Sequence, residues 1–173
     1  MIEVIRLSEY STQVATRMRE LLIQLSRSGK DKGEIPKTWF EQVIASPWHD
    51  CLLAIEIDEH DKQKQDIPAR PNSSLFLQSN LSPSQILGMA SVSVVFGAGI
   101  GKNAYLEDFV VDSSARSKGI GSLLFQSFEA WAREKGCKNL EFTCGNGREA
   151  AQKFYKAHGA EIYDTNFFRK KLN

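Results

Sequence analysis

Between residues 106 and 121 the chain reads Leu106-Glu107-Asp108-Phe109-Val110-Val111-Asp112-Ser113-Ser114-Ala115-Arg116-Ser117-Lys118-Gly119-Ile120-Gly121. An apolar run gives way to a polar turn, and the turn leads into apolar residues at helical spacing: Ile120, Leu123, Leu124, Phe128 and Trp131. A helix starting there exposes unpaired N–H groups and the positive end of its dipole, and glycines let an anion come close to the backbone. Arg116 and Lys118 add positive charge at the same mouth. The chemistry this pattern suits is phosphate binding; the bland alternative is a glycine-containing turn that merely starts a helix. It is not a dinucleotide fingerprint, because Leu124 stands where the third glycine would fall.

Other chemically capable residues are less informative. Gly101-Lys102 suggests a P-loop only superficially: Phe96 and Asn103 occupy the positions that need glycine and serine or threonine, so 97–101 reads as a hairpin turn. Cys51, Cys137 and Cys144 form no C-x-x-C pair, and His49, His60 and His158 have no metal-ligand spacing. Reduced thiols and no metal are expected, and no cysteine-enzyme signature surrounds Cys144.

The elements that would position the turn follow from periodicity. Residues 2–7 alternate as a strand, and Val14, Met18, Leu21, Leu22 and Leu25 recur as one face of a helix with Gly29 beyond it. Thr38 and Glu41 have capping-box spacing at the start of a short helix between Pro36 and Pro47. Strands are expected at 51–57, 86–96, 105–111 and 139–144, helices at 120–136 and 149–158, and a final extended stretch at 162–172. Residues 59–84, rich in charge, proline, asparagine and serine, cannot bury enough apolar area to offset ordering and read as a long mobile loop. Leu75-Phe76-Leu77 within it reads as a short piece docked on the body, with a partner-binding site as the alternative. The predicted order is β-α-α-β-β-β-α-β-α-β in a single α/β (α+β) domain over 1–173.

At 173 residues, with 42% hydrophobic and 25% charged residues, the chain has the composition of one globular domain. A net charge of +1 gives no overall reason to expect nucleic-acid or anionic-membrane partners. No run approaches a membrane span and the first residues do not form a secretion signal, so a cytoplasmic location is expected.

Arg116-x-x-Gly119-x-Gly121 after a strand matches the Arg/Gln-x-x-Gly-x-Gly/Ala signature, and the chain resembles the GNAT N-acetyltransferase superfamily. Tyr105-Leu106-Glu107-Asp108-Phe109 and Phe154-Tyr155-Lys156-Ala157-His158-Gly159-Ala160 resemble segments of its diamine (spermidine/spermine) acetyltransferase branch, so the likeness spans 104 to 160. It implies a central, mostly antiparallel mixed sheet of six to seven strands flanked by about four helices. It also implies acetyl-coenzyme A as cosubstrate, an amine acceptor and a homodimer.

By that resemblance, the backbone of Arg116, Ser117, Lys118, Gly119, Ile120 and Gly121 holds the cofactor's pyrophosphate. Phe109, Val110 and Val111 pair with its pantetheine arm through main-chain groups and steady the developing oxyanion. An alkylamine of pKa near 10.4 must lose a proton before it attacks, and Glu107 is the first choice of acceptor, directly or through water. Asp108 is expected to hold the cationic substrate, since strand alternation sends the two carboxylates to opposite faces. Tyr155 matches the tyrosine that protonates the leaving thiolate in many relatives. Arg148 stands where many relatives carry asparagine; Asn146, two residues earlier, either contacts the cofactor or caps a helix with Glu149. The expected acceptor is a small amine, polyamine-like or lysine-like. A peptide N-acetyltransferase and a non-catalytic acyl-coenzyme A binding module are the alternatives.

Overall fold

The computed structural model describes residues 1–26, 28–57 and 81–172. The loop expected over 59–84, with Leu75-Phe76-Leu77, therefore lies outside the described residues up to position 80. Packing divides the chain into two units, Met1–Phe142 and Thr143–Asn173.

The first unit contains β1 (Ile2–Arg6), α1 (Thr12–Leu25), α2 (Lys37–Ala45), β2 (His49–Glu56), β3 (Ile86–Gly97), β4 (Gly101–Val111), α3 (Ile120–Glu134) and β5 (Asn139–Phe142). The strands form one sheet in the order β1-β2-β3-β4-β5. Its first three pairings are antiparallel and the last, β4 with β5, is parallel. The Gly97–Gly101 turn is a hairpin between β3 and β4, as the glycines predict.

Amphipathic periodicity builds the layers. Val14, Met18 and Leu21 of α1 and Phe40 and Val43 of α2 are buried in one core with Cys51, Leu53, Ile55, Met89 and Val110 of the sheet. From α3, Ile120, Leu124, Phe125, Phe128 and Trp131 are buried, and this helix packs on β2, β3 and β4. Removing side chains of this size from water contributes about 1.5–3 kcal/mol each. The ring of Phe125 meets Phe109 of β4 and Phe142 of β5 edge-on, so the opposite sheet face carries its own aromatic seam.

The second unit holds α4 (Glu149–Ala157). Ala151, Phe154 and Tyr155 are half-buried along it.

Several expectations need correction. Among the described residues the sheet has five strands rather than six to seven. Residues 161–172 are exposed and lie in no ladder, with Tyr163 at 86% and Phe168 at 87% exposure. An apolar run becomes a strand only where a neighbour pairs with it. Thr38 caps nothing, because α2 begins at Lys37 with Pro36 as its cap. Asn146 does not cap α4 either: that helix is capped at Arg148 with no side-chain bond.

Candidate active site

The decisive irregularity lies in β4. Ser91 of β3 pairs with Asp108, but the next residue, Val92, pairs with Leu106, so Glu107 is an extra residue in the ladder. Leu106 and Phe109 oppose Val92 and Ala90, two residues apart on β3, and therefore share a face. Both Glu107 and Asp108 fall between them, so the alternation expected to send the two carboxylates apart is broken by a β-bulge. The bulge places them together on the side of the sheet away from Phe109.

Below the bulge β4 is held on both sides. Asn103 and Asn139 join side chains, and Asn103 also donates to Glu141, which pins the parallel register of β4 and β5. That pairing runs from Asn103 with Asn139 to Leu106 with Phe142 and stops. From 108 to 111, β4 keeps β3 on one side and, among the described residues, has no strand on the other. Alternate N–H and C=O groups of a strand point outward, so this stretch offers ladder positions to an extended ligand.

The carboxylates differ in environment. Glu107 is exposed. Asp108 is partly buried, and its carboxyl accepts no hydrogen bond among the described residues. Burial pushes its pKa up, with only the charge of Lys32 opposing. On the same face, burial and the nearby charges of Asp108 and Asp50 push the Cys51 thiol up, which keeps it protonated and unreactive. Lys32 lies between α1 and α2 and carried no sequence signal, because its relation to Asp108 is purely spatial.

After β4, Asp112 caps a 3₁₀ turn, Ser113–Ala115, by accepting from the Ser114 amide. Ser117 then adopts a φ of 62° and Gly119 a φ of 80°, before α3 starts at Ile120. The amides of Ser117, Lys118, Gly119, Ile120 and Gly121 donate to nothing among the described residues. A Cβ built on Gly119 would meet no protein atom within 4 Å, so the space beside this turn is open. Arg116, Ser117, Lys118 and Gly119 are exposed, and Arg116 folds back to donate from Nε to the carbonyl of Val111 at 3.2 Å. Open space, a glycine in left-handed conformation and unsatisfied amides at a helix start together fit a pyrophosphate.

Tyr155 and Asn146 belong to the second unit. Burial pushes the Tyr155 phenol up to about 12, Cys144 adds to the effect and Arg148 opposes it. The Asn146 carbonyl accepts from Gln152 Nε2 at 3.0 Å, as does that of Gly145 at 3.1 Å, so Gln152 braces this turn.

The pattern of the Acetyltransferase (GNAT) family matches residues 37–160. The chain belongs to the GNAT family. Among curated proteins, GNAT relatives include the thialysine N-epsilon-acetyltransferase of Bos taurus, 38% identical over 61 residues, covering 35% of this chain and 36% of the relative. The Sus scrofa protein of that name is 30% identical over 77 residues, 44% of this chain and 45% of its own length. The chain thus matches less than half the length of either.

Solved structures similar to this GNAT chain include an aminoglycoside acetyltransferase from an uncultured soil metagenomic sample in complex with sisomicin. Its TM-score is 0.69 at 16% identity, over 99% of this chain and 97% of that one. The aminoglycoside acetyltransferase AAC(6')-Iy, in complex with a bisubstrate analog, has a TM-score of 0.66 at 17% identity over 99% of both. A Bacillus halodurans protein described as a transcriptional regulator reaches 0.68 at 18% identity, over 99% of this chain and all of its own. At these identities the likeness establishes the fold, a mixed sheet with helices on it.

Proposed function

We propose that this GNAT chain transfers an acetyl group from acetyl-coenzyme A to a primary amine by direct attack on the thioester. The reading rests on one juxtaposition: among the described residues, a desolvated carboxylate has no donor at the bulge, and its strand loses a neighbour there and runs into a turn of unsatisfied amides. Bound acetyl-coenzyme A supplies an activated acetyl group. The amides of 117–121 bind its pyrophosphate, Arg116 and Lys118 add charge, and the backbone of Phe109, Val110 and Val111 aligns its extended arm. An N–H of that strand segment stabilises negative charge developing on the carbonyl oxygen. Asn146 is a further candidate for a cofactor contact.

The raised pKa of Asp108 revises the division of labour between the carboxylates. Asp108, partly buried, without a donor among the described residues and pushed up by burial, takes the proton from the attacking amine, and exposed Glu107 attracts the cation or relays through water. Tyr155 donates to the sulfur as the C–S bond breaks. Burial pushes its phenol up to about 12, so the proton is present at neutral pH to be donated. A lysine-like or polyamine-like acceptor fits two adjacent carboxylates, and the name of the mammalian relatives points the same way.

The test is release of coenzyme A across a panel of polyamines, lysine-like amino acids, aminoglycosides and peptides. Turnover is expected with a lysine-like or polyamine acceptor, and Tyr155→Phe is expected to lower it about 10²-fold at unchanged cofactor affinity. Cofactor binding with no turnover on any amine would replace this reading with a non-catalytic acyl-coenzyme A module, and turnover on peptides alone would make the chain a protein-modifying enzyme.

A further inference from the structure

The turn that carries the free amides is tied at its base to α1. Asp112, at the end of β4, is 6% exposed and collects four donors. Arg17 Nη2 lies 2.6 Å and Gln24 Nε2 3.0 Å from its Oδ2; the Ser114 amide at 2.8 Å and hydroxyl at 2.5 Å reach its Oδ1. Both oxygens are thus occupied, one by the helix and one by the turn. The Ser114 hydroxyl leads in holding the carboxyl below the ordinary range, against a burial cost, with Gln24, the Ser114 amide and Arg17 reinforcing it.

Gln24 does more than donate. Its Oε1 accepts from the Ser113 amide at 2.8 Å, so one side-chain amide grips two consecutive residues at the start of the turn. Arg17, two helical turns earlier on the same face of α1, also donates from Nε to the carbonyl of Ile86 at 3.0 Å, tying the helix to the start of β3. The Ser113 and Ser114 amides are thereby used internally, while those of Ser117 to Gly121 stay available. Bracing at one end matters because Ser117, not a glycine, sits at positive φ, a conformation that a loose turn would relax from.

We propose that Gln24 and Arg17 are positioning residues for the cofactor. Through Asp112 and Ser113 they set where the donors of Ser117 to Gly121 point, and so tune affinity for the pyrophosphate without touching it. The proposal rests on that turn being the cofactor site. Gln24 is the cleaner handle: it is exposed and is not among the core residues, so its loss leaves the core intact. It also lies outside the proposed catalytic groups.

The experiment measures acetyl-coenzyme A affinity by calorimetry, together with kcat and the KM for each substrate, in the whole chain. Gln24→Ala is expected to weaken cofactor Kd and raise its KM about fivefold, the scale of one hydrogen bond. The expected kcat at saturating cofactor and the KM for the amine stay within about twofold of the parent, a split that general destabilisation would not produce. Arg17→Lys, which keeps the charge and gives up the forked donation to Asp112 and Ile86, is expected to fall between parent and Gln24→Ala. Gly119→Val serves as the control for the site itself. If Gly119→Val loses the cofactor and Gln24→Ala keeps it with unchanged Kd, the positioning role is overturned and the site stands. If Gly119→Val also binds normally, the site assignment fails instead.

Discussion

The two ends of the proposed site are finished differently. The cofactor turn is built by the protein for itself: Asp112 has four donors, Gln24 clasps Ser113, and the geometry of the amides is set before any ligand arrives. At the bulge, Asp108 has lost solvent without gaining a partner among the described residues, where the charge of Lys32 is what offsets its burial. A pre-built end suits a ligand that never changes, whereas an end with an unsatisfied carboxylate takes part of its stability from whatever amine it binds. This difference fits the proposal, in which the sequence names one cofactor and gives the acceptor only as a chemical class.

The largest effect that would break this contrast belongs to Asp108→Asn. Turnover is expected to fall at least about 10²-fold, as for loss of a proton acceptor, while the melting temperature rises. The sign follows from linkage: the folded pKa lies above the unfolded one, so stability falls as pH climbs from about 3.9 through the raised value, and a neutral amide avoids that loss. The parent's acid limb in kcat/KM should likewise lie above that of an ordinary aspartate and disappear in the variant. Full activity in Asp108→Asn would return the base role to Glu107. Next in size, Gly119→Val should cost about tenfold or more in cofactor Kd, because a β-branched residue resists a φ of 80° and its side chain enters the open space. Unaltered calorimetric affinity would remove the turn from the site.

A smaller effect tests the pre-built end by acid titration. The Asp112 pKa is depressed on folding, so its contribution is complete above the unfolded value near 3.9 and is lost as pH falls through the folded one. Asp112→Asn should flatten that part of the acid unfolding curve and cost about 1–3 kcal/mol at neutral pH, by leaving donors poorly matched. An unchanged curve would show that the network does not hold the turn. Smallest of all, Ser117→Gly relieves a positive φ and adds backbone entropy to the unfolded chain, two terms of about 1 kcal/mol that nearly cancel. A melting temperature shifted by less than about 3 °C is expected; a large rise would mean that Ser117 stores more strain than a single left-handed residue should.

Local periodicity was a sound guide where burial follows one face. The buried stripe of α1 and that of α3 fall where the apolar spacing puts them, and the glycine turn, the strand before it and the helix after it were all legible. Spacing misled where it had two readings. Thr38 with Glu41, and Asn146 with Glu149, match a capping box, but the same spacing arises within and just ahead of any helix. The apolar run at 162–172 suggested a strand, and a strand's existence depends on a partner elsewhere. The bulge at Glu107 was invisible for a related reason, since register is a property of two strands and β4 alone shows regular alternation. Likewise Gln24 and Asp112 are 88 positions apart, and nothing in either neighbourhood announces the other.

The surplus residue at Glu107 behaves like a dislocation in a crystal. It cannot be annealed away by sliding β4 one place along β3, because a one-residue slip would turn Val110 out of one core and Leu106 out of the other. The mismatch is therefore trapped between two packed layers at a fixed address. A deletion of residue 107 would let the ladder close, and the same stroke would erase the only place on β4 where two acidic side chains emerge together.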